Sequence, residues 1–304
     1  RIVRITGNGA VKLVLHNDNT TGAENPCASV NNDSVGAFAR YSGTSFDTVF
    51  NYRYYYSTNS MDSYNMEAYN SSIGFMFGKY NGSSFSSAQK NTNKSTILSN
   101  LEWWYDFNFK GKEYEKVLAD TIWCNDKGVV NDRSFQTLNS AVDIGLNYGG
   151  GNNKNYYSPA RRIIRSYTEL EGNPSLICPT INMNNVNKNI SKFTVSDKEN
   201  GNGNLLYKVG LLTSDEVVYA GAVAVNSVSK KNTTYYLYEN ATGDNWWTLS
   251  PYVTNGYGYM FVANKNGQLD KTKVSDKYAL RPAVSLVSGT TIISGNGTSS
   301  KPFI

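Results

Sequence analysis

The sequence predicts an α+β protein rich in antiparallel sheet, and three patterns along the chain carry this prediction. The N-terminal run "RIVRI-TGNGA-VKLVL" places two β-branched, apolar segments around a Gly-Asn-Gly turn, which is typical of a β-hairpin. Helical periodicity follows from residue 95, and the chain after residue 232 alternates short apolar runs with Gly, Asn, Pro and Ser. Helices therefore come mainly early and strands mainly late, which favours α+β over a parallel α/β sheet.

Two consecutive helices are predicted in the first half of the chain. The apolar residues at helical spacing in "STILSNLEWWYDFNF" are Ile97, Leu98, Leu101 and Trp104. Ser95 is the N-cap candidate of this helix, and Gly111 ends it. The next segment, "KEYEKVLADTIWCND", keeps a similar spacing, so we expect a helical pair packed on a sheet. A short buried strand, "IGFMFGKY", precedes the pair.

A third helix is marked by a capping box and is followed by closely spaced strands. Thr213 is the capping residue and Glu216 reaches back to it, so a helix is expected from Ser214 to about Ala220, ending near Gly221. The segment "YKVGLL" before it is predicted as a strand. The predicted strands after it are "YYLYE", "WWTLS", "YGYMFVAN", "GQLDKT" and "RPAVSLV".

Length and composition bound the organisation and the compartment. The 304 residues are predicted to form one globular domain, with a loop-rich lobe at 1–204 and a strand-rich lobe at 205–304. Only 17% of the residues are charged, and 23 are tyrosines. A surface of Asn, Ser, Thr, Gly and Tyr favours an extracellular protein, although a β-rich protein of any compartment is the alternative.

Charge and hydropathy exclude two classes of partner. The net charge of +5 is spread along the chain without a basic run, so we expect no nucleic-acid binding. No stretch approaches the roughly 20 apolar residues that span a bilayer. The first residues already resemble a folded strand and not a signal peptide, so the chain is expected to be a processed product. A membrane anchor would then lie only in a segment before Arg1.

Few residues are suited to catalysis or to metal binding. The single histidine, His16, follows the hairpin and is expected in solvent, which argues against triad chemistry and histidine metal sites. The carboxylate pairs Glu102/Asp106 and Glu113/Asp120 could each share a helix face, but no cleft is marked for a glycosidase pair. The segment 196–204, "SDKENGNGN", is predicted as a turn, not a calcium loop. No cofactor and no metal are expected.

Aromatic residues are concentrated in the segment "DNWWTLSPYVTNGYGYMFVAN". Either this segment is a β-rich core, or it forms an exposed face for a sugar or protein partner. Because neighbouring strand residues point to opposite faces, we expect Trp247 in the core with Leu249, and Trp246 displayed with Thr248 and Ser250. The ligand-binding candidates are Trp246, Tyr252, Tyr257 and Tyr259.

Three cysteines, Cys27, Cys124 and Cys178, are too far apart in sequence for a zinc knuckle. One disulfide and one remaining thiol is the natural arrangement in a secreted protein. Three buried free thiols are the alternative.

Several motifs occur together in a fixed order: "RIVRITGNGAVKLVL", "ADTIWCNDKG", "YYLY…WWTLSPY" and "ALRPAVSLVSGTTIISGNGTSSKPFI". Their succession resembles a family of uncharacterised secreted or pilin-like surface proteins of Gram-positive gut-type bacteria. Relatives often carry Cys-Trp directly before the "RIVRI" strand. The resemblance therefore implies that Cys27 pairs with a cysteine ahead of Arg1, and that Cys124 pairs with Cys178.

The C-terminal part of the chain resembles, more weakly, the cores of C-type-lectin-like and formylglycine-generating-enzyme-like folds. The matching residues are Trp246, Ser250, Pro251, Arg281 and Pro282. The enzyme branch uses cysteines in this region, whereas this chain has none after Cys178, so the resemblance implies a binding domain. Arg281 is expected to fix a loop by bonding backbone carbonyls or a buried carboxylate, and Pro282 to start a strand.

The sequence thus predicts an extracellular, surface-displayed binding or adhesion domain that is not an enzyme. Its expected partner is a glycan or protein ligand. The alternative is a structural subunit of a pilus or other filament, whose partners are identical subunits. A carbohydrate-active hydrolase is the third class.

Overall fold

The computed structural model describes fourteen stretches of the chain. They are residues 1–15, 40–41, 44–45, 47–48, 73–78, 90–128, 154–163, 173–181, 189–224, 237, 245–255, 258–264, 267–274 and 276–295. His16, Cys27 and Tyr257 lie outside the described residues, as does the "YYLYE" segment apart from Leu237.

The predicted N-terminal hairpin is confirmed. Strands β1 (Ile2–Ile5) and β2 (Val11–Val14) pair antiparallel, and Gly9 closes the turn between them with a φ of 82°. On its other side, β2 pairs antiparallel with β16 (Ala283–Leu286), so the order of this sheet is β1-β2-β16. The hairpin of the predicted first lobe therefore shares a sheet with the last strand of the predicted second lobe.

The first predicted helix is confirmed as α1 (Thr96–Asn108). The Ser95 hydroxyl accepts a hydrogen bond from Leu98 N at 3.1 Å, which makes Ser95 the N-cap. The residues predicted at helical spacing are all buried. Two short strands before the helix, β6 (Met76–Phe77) and β7 (Asn93–Lys94), pair antiparallel.

The prediction of a second helix in this region is wrong. Only Glu113–Val117 is helical, as a short 3-10 turn, and the chain then extends. The backbone of β16 explains the difference, because Val287 N donates to Val117 O at 2.8 Å and Ala119 N donates to Ser285 O at 2.7 Å. Pairing with a neighbouring strand therefore takes the backbone groups that a continuing helix would need.

The described part of the middle of the chain contains several short elements. Strand β8 (Trp123–Cys124) pairs antiparallel with β10 (Lys192–Phe193). The other short elements are β3 (Arg40–Tyr41), β4 (Thr44–Ser45), β5 (Asp47–Thr48), β9 (Lys154–Tyr156) and α2 (Ser158–Ile163). A disulfide between Cys124 and Cys178, with an S–S distance of 2.06 Å, confirms the predicted pair.

The largest sheet contains most of the C-terminal strands. Its further strands are β11 (Val223–Ala224), β12 (Trp246–Asn255), β13 (Gly258–Ala263), β14 (Gln268–Lys273) and β15 (Tyr278–Ala279). The order is β11-β14-β13-β12-β15-β5, and β9 also pairs with β12. The pairs β11/β14 and β12/β15 are parallel, and the others are antiparallel. This sheet and the helices confirm the α+β class.

The capping-box helix is confirmed as α3 (Ser214–Tyr219), but the strand predicted before it is wrong. The "YKVGLL" segment makes only an isolated bridge, between Gly210 and Ala283. The segment passes so close to Trp123 that a Cβ on Gly210 would lie 2.3 Å from the indole ring. Close packing on a ring and a few backbone hydrogen bonds, without a regular ladder, hold this part of the chain.

One hydrophobic core connects these elements. It includes Leu101 of α1, Trp123 of β8, Val217 of α3 and Met260 of β13. Helices α2 and α3 both contact β12. None of the helices in the described stretches combines the length and the apolar character that crossing a bilayer requires.

Candidate ligand-binding cleft

A cleft of about 470 Å³ opens beside the first turn of α3. The hairpin turn (residues 6–8), β8 with its disulfide, and the irregular segment 175–178 form its other sides. The cleft is built largely from polar and charged side chains whose positions are fixed by hydrogen bonds, as the following contacts show.

Glu216 lines the cleft, although only 2% of its side chain is exposed. Arg4 Nε and Lys12 Nζ each donate a hydrogen bond to Glu216 Oε1 at 2.7 Å. Thr213 N donates to Glu216 Oε2 at 3.0 Å, which completes the predicted capping box. Burial raises the pKa of Glu216, but the charges of Lys12 and Arg4 outweigh burial and lower it, so the carboxylate is ionised.

Lys12 is buried between this carboxylate and an aromatic ring. Its Nζ lies 4.5 Å from the centroid of the Trp123 ring, within range of a cation–π interaction. Burial lowers the pKa of Lys12, and the Glu216 carboxylate opposes that shift. We call the three charged residues Arg4, Lys12 and Glu216 the cationic cluster, because two cations share one carboxylate.

Arg162 organises a second group of charges in the cleft lining. Its Nε and Nη2 donate to the two carboxylate oxygens of Asp215 at 2.8 and 3.1 Å. Its Nη1 donates to Asp126 Oδ2 at 2.7 Å. Burial raises the pKa of Asp126, and Arg162 opposes the shift. We call Arg162, Asp126 and Asp215 the anionic cluster, because two carboxylates share one guanidinium.

The first turn of α3 joins the two clusters. Asp215 and Glu216 are neighbours in sequence, and each belongs to a different cluster. Negative side chains are favoured at this position because the N-terminal end of a helix carries partial positive charge. Ser214 N donates to Ser250 Oγ at 2.9 Å, which ties the turn to β12. The helix start therefore holds two carboxylates at fixed positions in one cleft.

The segment 175–178 forms an apolar wall beside these charges. Ser175 N donates to Asp215 Oδ1 at 2.8 Å, and Cys178 is bonded to Cys124, so both ends of the wall are attached. Between them, Leu176 and Ile177 are 41% and 81% exposed. Exposed aliphatic side chains on a firmly held segment are suited to contact with a ligand.

Arg4 also brings donor capacity to the cleft lining. Only its Nε makes a hydrogen bond within the described residues, and 21% of its side chain is exposed. Arg4 lines the cleft beside Thr6 and Asn8. Its two terminal nitrogens therefore offer a fork of donors to a bound anion.

Among the described residues of the predicted aromatic binding face, none is exposed. Trp246, predicted as displayed, is only 2% exposed, and Tyr252 is only 4% exposed. Trp246 lies under the Arg281 guanidinium at 5.1 Å, and Tyr252 packs edge-on against Tyr156 and Phe261. Both faces of β12 are covered, so alternation along the strand does not expose either side. Tyr259 is half-buried and packs against the core.

The residues predicted with Trp246 on a wet face are also buried. Thr248 Oγ1 donates to Phe261 O at 2.7 Å, and Ser250 Oγ accepts from the start of α3. Ser250 nevertheless lines the cleft, so one buried residue of the aromatic segment forms part of the candidate site.

The three residues predicted to have structural roles are all buried. Trp247 is fully buried and packs edge-on against Tyr278. Arg281 is buried and donates to Leu15 O at 2.8 Å and to Leu237 O at 2.7 Å, as predicted for backbone carbonyls. Pro282 immediately precedes β16, and its carbonyl accepts from Leu15 N.

Exposed aromatic rings lie instead on α1 and the turn after it. Trp103, Phe107 and Tyr114 are 61%, 72% and 48% exposed. Trp103 and Phe107 are four residues apart, and neither belongs to the apolar set that predicted the helix. The same periodicity that predicted the buried face of α1 could therefore have identified this exposed aromatic surface.

The carboxylates considered for catalysis are bound by neighbouring groups. Glu102 pairs with Lys94, Asp106 pairs with Lys110, and Glu113 pairs with Lys116. Asp120 lines the cleft, but its carboxylate accepts backbone hydrogen bonds from residues 195, 196 and 197.

The turn predicted at 196–204 is held by Asp197. Its Oδ1 accepts hydrogen bonds from Glu199 N and Asn200 N at 3.0 and 2.8 Å. Across the described stretches, no group of three or more His, Cys, Asp or Glu side chains is arranged to hold a metal ion.

Fold and site together define an α+β protein with a charged, disulfide-walled cleft. Residues 171–288 match the family model described as a domain of unknown function (DUF6273). The matched part contains the apolar wall, α3 and β12–β16, whereas Arg4, Lys12, Asp126 and Arg162 precede it. No curated protein and no solved structure matches the chain.

Proposed function

We propose that the chain is an extracellular, surface-displayed binding or adhesion domain, that it is not an enzyme, and that the cleft is its ligand site. The observation that carries the proposal is the combination, in one cleft, of fixed charges and exposed apolar side chains. The Cys124–Cys178 disulfide supports an oxidising, extracellular location.

The cleft is suited to binding because its polar groups are already positioned. Glu216, Asp215 and Asp126 each accept hydrogen bonds from cations or backbone groups, so their side chains are held before any ligand arrives. A preorganised site loses less conformational entropy when it binds. The same contacts leave these carboxylates committed to structural partners, which supports binding in preference to hydrolysis.

We further propose that the fold is lectin-like. The tryptophan-bearing strand β12 and the Arg281–Pro282 pair before β16 support this proposal, because both occur in the order expected for such a domain. The described segments 173–181 and 195–213 carry cleft residues outside helices and strands, which fits a fold that places its ligand contacts on loops.

The cleft can be blocked without disturbing the core. Gly7 lines the cleft, and a Cβ at this position would meet no heavy atom within 4 Å. We therefore expect Gly7→Trp to fold normally and to reduce binding by about ten-fold or more, and Gly7→Ala to bind as the native protein does. The measurement is binding of labelled protein to arrays of glycans and peptides.

Ligand binding that is equal in native protein and Gly7→Trp would contradict the proposed site. Loss of binding in Trp103→Ser, with Gly7→Trp unaffected, would move the site to the exposed aromatic rings of α1. Circular dichroism and thermal melting of each variant exclude misfolding as the cause.

A structural subunit of a pilus or other filament is the second proposal. Exposed apolar side chains on β1 favour it, since Ile2 is 42% and Ile5 is 67% exposed. Electron microscopy of the native particle distinguishes the two proposals. Filaments that dissociate in an Ile5→Lys variant would support the subunit, and free monomers would support the binding domain.

A further inference from the structure

The two charged clusters of the cleft lining carry net charge of opposite sign, and Asp120, Asp197 and Lys192 also line the cleft. In the cationic cluster, Arg4 and Lys12 share the single carboxylate of Glu216. In the anionic cluster, Asp126 and Asp215 share the single guanidinium of Arg162. A negatively charged ligand group is therefore favoured beside the cationic cluster over the anionic cluster.

Arg4 has the geometry to hold that group. Its Nε is fixed on Glu216 at 2.7 Å, so the guanidinium plane is oriented before a ligand binds. Within the described residues its terminal nitrogens make no other hydrogen bond. Two parallel donors match the two oxygens of a carboxylate, and such forked pairs are among the stronger hydrogen bonds in proteins.

The wall of the cleft adds a second requirement. Leu176 and Ile177 expose aliphatic surface to the same cleft. Their segment is anchored through Ser175 and Cys178, so these side chains are presented from a fixed backbone. A wholly polar ligand, such as a neutral sugar, would leave that surface in water, whereas an aliphatic group would cover it.

We infer, building on the proposed function, that the cleft binds a carboxylate carried on an apolar group, with the carboxylate on Arg4 and the apolar group against Leu176 and Ile177. Two sources supply this chemistry: a small aliphatic carboxylate, and the free C-terminus of a peptide that ends in an aliphatic residue.

A series of small probes tests each half of the inference by ligand-observed NMR titration at low ionic strength. The probes are N-acetyl-L-leucine, its uncharged amide, acetate and glucuronate. The affinity of N-acetyl-L-leucine is expected to be at least about ten-fold higher than that of the amide, which lacks the charge. It is expected to exceed that of acetate, which lacks the apolar group, by a similar factor. Equal binding of the amide, or tighter binding of glucuronate, would overturn the inference.

Two variants with matched controls locate the contacts. Arg4→Gln is expected to abolish the preference for the acid over its amide, whereas Arg161→Gln, at an exposed position on α2, is expected to keep it. Ile177→Ser is expected to weaken the binding of N-acetyl-L-leucine about five-fold. Ile293→Ser, which changes an equally exposed isoleucine (84%) outside the cleft lining, is expected to have no effect.

Because Arg4 also contacts Glu216, the Ile177 variant keeps the test valid if Arg4→Gln folds poorly. An unchanged affinity in Ile177→Ser would overturn the apolar half of the inference. An unchanged acid preference in folded Arg4→Gln would overturn the carboxylate half.

The sources are separated with a pentapeptide ending in leucine, used as the free acid and as the amide. Tighter binding of the peptide acid than of N-acetyl-L-leucine assigns a peptide C-terminus, and equal or weaker binding assigns a small carboxylate; both agree with the inference. A neutral ligand that loses binding in Gly7→Trp, with no binding of any acid, overturns the inference and leaves the proposed function intact. If Gly7→Trp affects no ligand at all, both fail.

Discussion

Two regions of this molecule are rich in side chains that could recognise a ligand, and they use those side chains in opposite ways. The aromatic region, β12 and β13, gathers tryptophan and tyrosine in one stretch of sequence and buries Trp246, Trp247 and Tyr252. The cleft gathers charged residues that lie as many as 212 positions apart and keeps part of them accessible. Local density of aromatic residues therefore marks the core here, and the candidate site is marked by long-range charge pairing.

The largest expected effect tests the core assignment of the aromatic region. Trp246→Ala and Trp247→Ala should each lower the free energy of unfolding by about 3–5 kcal/mol, because both rings are almost completely buried. Trp103→Ala, at a ring that is 61% exposed, is the control and should change stability by about 1 kcal/mol or less. Urea denaturation measures all three. A small loss of unfolding free energy for Trp246→Ala alone would indicate that the Trp246 ring is exposed and would contradict its assignment to the core.

The disulfide in the cleft wall should have the next largest effect. Cys124 and Cys178 are 54 positions apart, and the chain-entropy model assigns such a loop about 4 kcal/mol. The double variant Cys124→Ser/Cys178→Ser should lose most of that stability in urea denaturation. It should also bind cleft ligands more weakly, because the wall that carries Ile177 loses one anchor. Mass spectrometry of unreduced peptides that finds both thiols free would contradict the premise.

Removing the charge of Glu216 should lower the free energy of unfolding by somewhat less than loss of the disulfide does. Glu216→Gln keeps the shape of the side chain and removes the charge shared by Arg4 and Lys12. Breaking a buried ion pair by changing one partner is strongly destabilising, and we expect a loss of about 3 kcal/mol in urea denaturation. Glu113→Gln, which removes one partner of an exposed pair, is the control and should have little effect. Equal losses of unfolding free energy in the two variants would mean that the cationic cluster does not stabilise the folded protein.

Local signals in the sequence were sufficient for several elements. The hairpin, the Ser95 cap and the Thr213/Glu216 capping box each depend on residues within a few positions, and each is present. The second helix was predicted wrongly because its competitor, the backbone of β16, lies far along the chain.

The candidate site could be predicted only in part for the same reason. Asp215 and Glu216 follow from the capping box, but nothing near Arg4 or Lys12 indicates that a hairpin will face a helix start. The exposure of Trp246 was predicted wrongly because alternation along a strand says which residues share a face, and not whether that face is covered.

The smallest expected effect is a change of stability with pH that comes from a buried lysine outside the cleft lining. It compares a lysine of the core with Lys12 of the cleft. Lys127 is only 1% exposed, and burial lowers its pKa to about 7. Its Nζ donates hydrogen bonds to Met76 O and to Asn91 Oδ1. Between pH 7 and the ordinary pKa of 10.5, the unfolded chain holds a proton that the folded chain lacks, so the free energy of unfolding should rise with pH.

The size of this slope separates a lysine held by burial from one held by a carboxylate. A full proton difference corresponds to about 1.4 kcal/mol per pH unit. Because a folded-state pKa of about 7 leaves Lys127 half-protonated at the lower end of the range, we expect an average slope of about 1 kcal/mol per pH unit between about pH 7 and 9.5. Urea denaturation of native protein and Lys127→Met across this range measures the contribution as a difference of slopes, which cancels the titration of other groups. A matching Lys12→Met series measures the same contribution for a buried lysine whose pKa the Glu216 carboxylate raises against the effect of burial. Identical slopes in native protein and Lys127→Met would show that Lys127 keeps its proton in the folded chain, and that its carbonyl partners stabilise charge as well as the carboxylate of the cleft does.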